Sequence, residues 1–207
     1  MIVHAIVPMK SLERAKSRLA GIWTPAERRA LVIEMLARVI HTLRDPAAHV
    51  AAIWLISADA VALQLGAAWG ARPLREPGGD LNAALEQARR AAVAAGAEAM
   101  LVVPGDVPLI TPADVRTLVT FLAHGADLAL APDAAGHGTN ALSLRRAAAI
   151  PFRFGHESAA RHLAEAAARG LHARRYSSPT IALDVDDPMG LARYRALVPL
   201  PVVRAVG

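Results

Sequence analysis

The chain has 207 residues, 54% of them hydrophobic, which suffices for one domain with a full core and argues against a disordered chain. It has no cysteine, so disulfides, thiolate zinc sites and thiol catalysis are excluded. The formal charge of +5 could suit nucleic acid, but aromatics are only 4% and the basic residues are scattered, so a phosphorylated small molecule fits the sign of the charge as well and no nucleic-acid partner is expected.

Residues 2–7, "IVHAIV", read as a short apolar strand, without the basic start and cleavage site of a signal peptide. The polar loop "MKSLERAKSRLAG" follows. "TPAERRALVIEMLARVIHTL" is a helix in which Thr24 is the N-cap, Pro25 takes the first helical position and Glu27 completes a capping box. Val32, Leu36, Val39, Ile40 and Leu43 recur at helical spacing and form its buried face. Residues 50–57 are a buried strand, "ADAVALQLGAAWG" a helix and "ARPLRE" a short strand. "DLNAALEQARRAAVAAG" is a helix ended by Gly96, and "AMLVVP" a strand. "TPADVRTLVTFLAHG" repeats the capping box with Thr111, Pro112 and Asp114. "ADLALAPD" and "TNALSLR" are strands, and "ESAARHLAEAAARG" is a helix ended by Gly170. "LHARRYS" and "TIALDV" are expected as two more strands, before a final helix, "DPMGLARYRAL".

Alternating strands and helices imply a mostly parallel sheet covered on both faces. The two strands around 127–145 break the alternation and are expected as a small, hairpin-like β insert around 127–150. The apolar tail "VPLPVVRAVG" is expected to pack on the domain or on a second subunit, which would make a homodimer. No apolar run reaches membrane-spanning length, so no membrane partner is expected and a cytoplasmic enzyme is the default.

Four polar segments fall at strand ends: residues 8–18, 76–82, 104–108 and 184–187. In a doubly wound sheet such ends gather on one edge. The first carries Lys10, Lys16 and Arg18, three cations that suit a polyphosphate. The other 20 of the 23 Lys and Arg residues are all Arg, so the two lysines share one loop, a placement with a chance of roughly one in forty that points to a need for a compact ammonium. The third segment ends its strand with Asp106, which fits either a turn residue or a metal ligand. The fourth, "LDVDDP", holds Asp184, Asp186 and Asp187. Alternation puts Asp184 and Asp186 on one side of an extended segment, while Asp187 suits the cap of the final helix. Carboxylates meeting at one edge would hold Mg²⁺, which prefers oxygen ligands and few protein contacts. Asn82 and Asn140 are the only two asparagines, and both lie in Gly-containing polar segments. His137 and His156 border such segments and read as surface or supporting residues. Ser158 lies at the start of a helix, as an N-cap or beside backbone N–H groups that can bind an anion. Walker, GxGxxG and GxSxG patterns are all missing.

"VPMKSLERAKSRL", "PGDVPLITPADV", "APDAAGHGTNAL", "FGHESAARHL" and "LDVDDPMGL", in this order, resemble the 2-phospho-L-lactate and phosphoenolpyruvate guanylyltransferases of coenzyme F-420 biosynthesis. The resemblance spans nearly the whole chain. It implies a single nucleotidyltransferase domain over residues 1–207, with a nucleotide-diphospho-sugar-transferase-like (Rossmann-like) α/β fold and a mixed, mostly parallel sheet. It implies GTP as donor, a phosphorylated three-carbon acid as acceptor and Mg²⁺ as cofactor. Residue by residue, Asp106 looks like the metal ligand of the "PGD" motif, with Asp186 or Asp184 as partner. Lys10, Lys16 and Arg18 look like triphosphate contacts, with Asn82 and Gly105 at the nucleotide. Thr139, Asn140, Gly155 and Ser158 look like the acceptor set.

A phosphomonoester acceptor is already largely dianionic at neutral pH and needs no general base, which fits the missing triad. Alignment and charge neutralisation would supply catalysis. The rival readings are a nucleotidyltransferase of the same fold with another acceptor, of the molybdenum-cofactor type, and a non-catalytic nucleotide-binding protein. The Gly-rich first loop usual in the former is missing, and the retained acids count against the latter.

Overall fold

The computed structural model describes residues 1–12, 16–76, 79–146 and 150–198. One sheet contains β1 (Val3–Met9), β2 (Ala52–Ser57), β3 (Arg72–Arg75), β4 (Ala99–Val102), β5 (Leu128–Pro132), β6 (Thr139–Arg145) and β7 (Ala173–Arg175), in the order β3-β2-β1-β4-β6-β5-β7. β6 runs antiparallel to both of its neighbours, and every other pairing is parallel. The helices are α1 (Pro25–Arg44), α2 (Ala60–Ala68), α3 (Leu81–Ala94), α4 (Pro112–Ala123), α5 (Ser158–Ala167), α6 (Pro179–Ala182) and α7 (Pro188–Leu197).

Every residue of β1 is buried, as its apolar run requires of a strand covered on both faces. Its alternation divides it between two cores. Val3, Ala5, Val7 and Met9 pack with the apolar faces of α1, α2, α4 and α7. Ile6 points the other way, against Leu85, Ala88 and Ala92 of α3 and Ala159 and Ala166 of α5. Both expected capping boxes form, Thr24 with Glu27 and Thr111 with Asp114, and each cap contributes about 1 kcal/mol.

The strands expected as a small β insert around 127–150 pair antiparallel with each other, as a hairpin would, and do so within the main sheet. β6 lies between β4 and β5 in the main sheet, because both strands are apolar and buried and need cover on each face. "TIALDV" is not a strand. Pro179 takes the first position of a short helix, α6, and the Asn140 amide donates to the carbonyls of Ile181 (2.8 Å) and Ala182 (3.4 Å). The chain then runs outside the sheet to Asp187, which caps α7 by accepting from the Gly190 N–H. The tail expected to form a subunit contact lies, from residue 199 on, outside the described residues.

Candidate functional site

The carboxyl ends of β1, β3, β4 and β5 face one cleft of about 510 Å³, a size suited to a small-molecule ligand. β6 is reversed, so its first residues, Thr139 and Asn140, reach the same edge. All four polar segments therefore contribute to one surface. Lys10, Lys16, Arg18, Gly105, Asp106, Thr139, Asn140, Gly155, Ser158, Asp184 and Asp186 line it. Asn82 does not.

Lys16 stands at its centre. Its backbone is left-handed, with φ of 56°, at the start of a single 3-10 turn, Ser17–Leu19. Its ammonium donates to Asp106 Oδ2 at 2.7 Å and to Asp186 Oδ1 at 2.5 Å. Burial acts to lower its pKa, but the two carboxylates outweigh that and hold it above the ordinary lysine value. Lys10 and Arg18 are exposed on the same wall.

Asp106 reaches this point because Gly105 lets the "PGD" turn close on the end of β1. A Cβ on Gly105 would sit 3.2 Å from Leu36 Cδ1 and 3.3 Å from Met9 Sδ. Asp184 is half-buried, and burial with the charges of Asp186, Asp106 and Asp133 raises its pKa to about 6. Three acids crowd one edge, and two of them already converge on one cationic nitrogen. That donor chemistry fits a small hard cation that keeps water and phosphate oxygens in its remaining positions. Among the described residues, no group of three or more His, Asp or Glu is gathered as a ready-made metal cage.

Two hydroxyls also line the cleft, those of Thr139 and Ser158. Ser158 is the first residue of α5 and is not its cap, since Glu157 occupies that position with φ of 53°. Ser158 Oγ donates to Thr139 Oγ1 at 3.1 Å, and Thr139 Oγ1 lies 3.1 Å from His162 Nδ1. Gly155, with φ of 120°, gives the loop before α5 a turn that L side chains rarely adopt. At the rim, His137 Nδ1 meets Glu157 Oε1 at 2.6 Å, and His156 is exposed.

Asn82, expected at the nucleotide, lies outside the cleft lining. Its carbonyl accepts from Phe154 N (2.8 Å) and its amide donates to Phe154 O (3.2 Å), a two-bond clamp on the loop before Gly155. Asn140 lines the cleft, but its amide hydrogens are directed to α6. Residues not assigned to the site from sequence also matter. Asp133 and Glu76 line the cleft. Asp59 Oδ2 accepts from Leu12 N at 2.9 Å and anchors the first loop. Asp114 accepts from Tyr176, Ser178 and Thr180 hydroxyls at 2.8, 2.7 and 2.6 Å, which ties the segment leading to Asp184 onto α4. His162 had a visible signal: it follows Ser158 by four residues, one turn along the same helix face.

The fold, with an acidic and basic cleft at the carboxyl edge of its sheet, places the chain among the nucleotide-diphospho-sugar-transferase-like α/β proteins. A solved nucleotidyl transferase from Methanothermobacter thermautotrophicus is similar, with a TM-score of 0.68 and 19% identity over 95% of this chain and 97% of that one. A Desulfovibrio desulfuricans structure assigned to the nucleotide-diphospho-sugar transferases gives 0.78 and 18% over 99% and 91%. The chain belongs to the family described as guanylyl transferase, CofC-like, whose model matches residues 3–194. A phosphoenolpyruvate guanylyltransferase of Chloroflexus aggregans is 45% identical over 94% of this chain and 98% of its own. A 2-phospho-L-lactate guanylyltransferase of Methanothermobacter thermautotrophicus is 40% identical over 88% and 79%. A 3-phospho-D-glycerate guanylyltransferase of Phenylobacterium zucineum is 36% identical over 90% and 87%.

Proposed function

We propose that the chain transfers GMP from GTP to the phosphate of a phosphorylated three-carbon acid, with release of pyrophosphate. Phosphoenolpyruvate is the acceptor best supported, because relatives bearing its name are 45% and 43% identical over more than nine-tenths of the chain. 2-Phospho-L-lactate is the next. The observation that carries the reading is the cleft itself, in which Lys16, Asp106 and Asp186 share one cluster on the same surface as the Thr139–Ser158 hydroxyl pair.

Lys10, Lys16 and Arg18 would hold the triphosphate, with Lys16 exchanging its carboxylate partners for phosphate oxygens. Asp106 and Asp186, with Asp184 beside them, would hold Mg²⁺, which when bound supplies further neutralisation of phosphate charge. Thr139, Gly155 and Ser158 would orient the acceptor. An acceptor phosphate oxygen attacks the α-phosphorus, the bond to the β-phosphate oxygen breaks, and pyrophosphate leaves with its charge met by the cations of the first loop. The nucleophile needs no base, because a phosphomonoester has its second pKa at about 6. The same reading puts the enzyme in coenzyme F-420 biosynthesis, as the family resemblance implies, and in the cytoplasm, the default the sequence suggests.

The test is pyrophosphate release with GTP and Mg²⁺ in the presence of phosphoenolpyruvate, 2-phospho-L-lactate or 3-phosphoglycerate. Release should require one of the three. Equal release without an acceptor, or a clear preference for CTP, contradicts the proposal.

A further inference from the structure

Behind the Thr139–Ser158 pair lies a group whose protons can be assigned. His162 is fully buried on α5, with the Phe154 ring edge-on to it at 5.0 Å. Its Nε2 accepts from the Arg153 backbone N–H at 2.9 Å. A backbone N–H can only donate, so Nε2 carries a lone pair. Burial, and then the charge of Arg153, lower the ring pKa to about 4, so the ring is neutral at pH 7. Its one N–H hydrogen is therefore on Nδ1, which faces Thr139 Oγ1 at 3.1 Å.

The hydroxyl count then follows. Thr139 and Ser158 have two hydroxyl hydrogens between them, and the contact that joins them uses one. The other cannot go to His162, because one ring nitrogen already accepts and the other already donates. It is left for the cleft, which both residues line. With the tautomer reversed, His162 Nδ1 would accept from Thr139 and take that hydrogen away.

We propose that His162 is a positioning residue of the acceptor subsite, which fixes the Thr139–Ser158 pair as a hydrogen-bond donor toward an anionic oxygen of the acceptor. This rests on the reading of Thr139 and Ser158 given above. It makes the subsite selective by polarity, since a donor in a water-poor site favours a phosphate or carboxylate oxygen over a group that can only donate.

The test has two arms on the full chain. In protein labelled with ¹⁵N-histidine, the ring signals that vanish in His162→Gln belong to His162. At pH 7 they should show a protonated Nδ1 and a bare Nε2. A protonated Nε2, or an imidazolium, overturns the proposal, and this arm needs no apolar variant to fold. In the kinetic arm, His162→Gln keeps an acceptor and a donor at the ring's place, whereas His162→Leu keeps neither. The KM for phosphoenolpyruvate should rise about tenfold or more in His162→Leu and stay near wild type in His162→Gln, with the KM for GTP unchanged in both. An unchanged acceptor KM in His162→Leu overturns the proposal, and so does an equal loss in both variants accompanied by a raised KM for GTP. Thr139→Val separates the two levels. If it leaves acceptor KM unchanged, the acceptor subsite itself is misplaced. If it raises acceptor KM while His162→Leu does not, only the role of His162 falls.

Discussion

The ammonium of Lys16 lies 2.7 Å from the carboxylate of Asp106, joining two residues 90 positions apart in sequence across the carboxyl edge of the sheet. The same ammonium reaches Asp186 on its other side. A guanidinium is planar and wider, and cannot occupy one point between two carboxylates in the same way. Lys16→Arg is therefore expected to lose activity although charge is kept, on the order of a hundredfold in kcat/KM for GTP, with little change in melting temperature. Steady-state kinetics beside a thermal melt check this. Wild-type kinetics would mean that the ammonium has no special place.

Asp114 predicts a different phenotype. It is almost fully buried and receives the Thr111 N–H and four hydroxyls. Burial acts to raise its pKa, but the hydrogen bonds from Thr111, Thr180 and Ser178 outweigh it and hold the carboxyl below the ordinary aspartate value. Asp114→Asn should destabilise the fold by about 1–3 kcal/mol, because donors aimed at a carboxylate are left facing an amide. The pH sign follows from the lowered pKa. The contribution is complete above the unfolded value of about 4 and is lost as pH falls below it. Denaturant melts of both proteins at pH 7 and pH 3 should show the gap closing in acid.

His162 gives a second pH signature. Its folded pKa of about 4 lies below the usual 6.5, so protonation favours the unfolded chain. The stability it contributes is present above pH 6.5 and is lost as pH falls toward 4, by up to roughly 3 kcal/mol. His162→Gln should flatten that part of the stability profile. A variant that keeps the wild-type slope between pH 6.5 and 4 would show that the imidazole is not held neutral.

Asn82 should behave as a brace. Asn82→Ala leaves the Phe154 N–H without its partner and loosens the loop that carries Gly155. The expected result is a lower melting temperature and a raised acceptor KM, with the KM for GTP little changed. A selective rise in the KM for GTP would restore the nucleotide role that the sequence suggested.

Much of this was legible in the sequence, and the reasons are local. Thr24-Pro25 and Thr111-Pro112 carry their caps within four residues, so both helices could be placed from chemistry that involves no distant contact. The polar ends of β1, β3 and β4 could be assigned to one edge because strands that alternate with helices run parallel and end on the same side. What was not visible depended on partners far along the chain. "TIALDV" has the apolar content of a strand, but Asn140, about forty residues earlier, accepts it as a helical turn. Asn82 looks like a polar residue at a site until Phe154, 72 residues away, takes both ends of its amide. The hairpin-like pairing of β5 with β6 was expected, but not the place of β6 beside β4, and its reversed direction is what brings Thr139 to the cleft.

If Asp106, in the turn after β4, holds the cation proposed to work on the nucleotide phosphates, turnover of Asp106→Asn against Mg²⁺ concentration, with a thermal melt as the folding control, measures it directly. An aspartate whose only task is to shape a turn tolerates this change, since asparagine turns nearly as well. The expected result is a folded protein with turnover down by orders of magnitude and a weakened dependence on Mg²⁺. A folded Asp106→Asn enzyme with wild-type turnover and an unchanged Mg²⁺ response would contradict it.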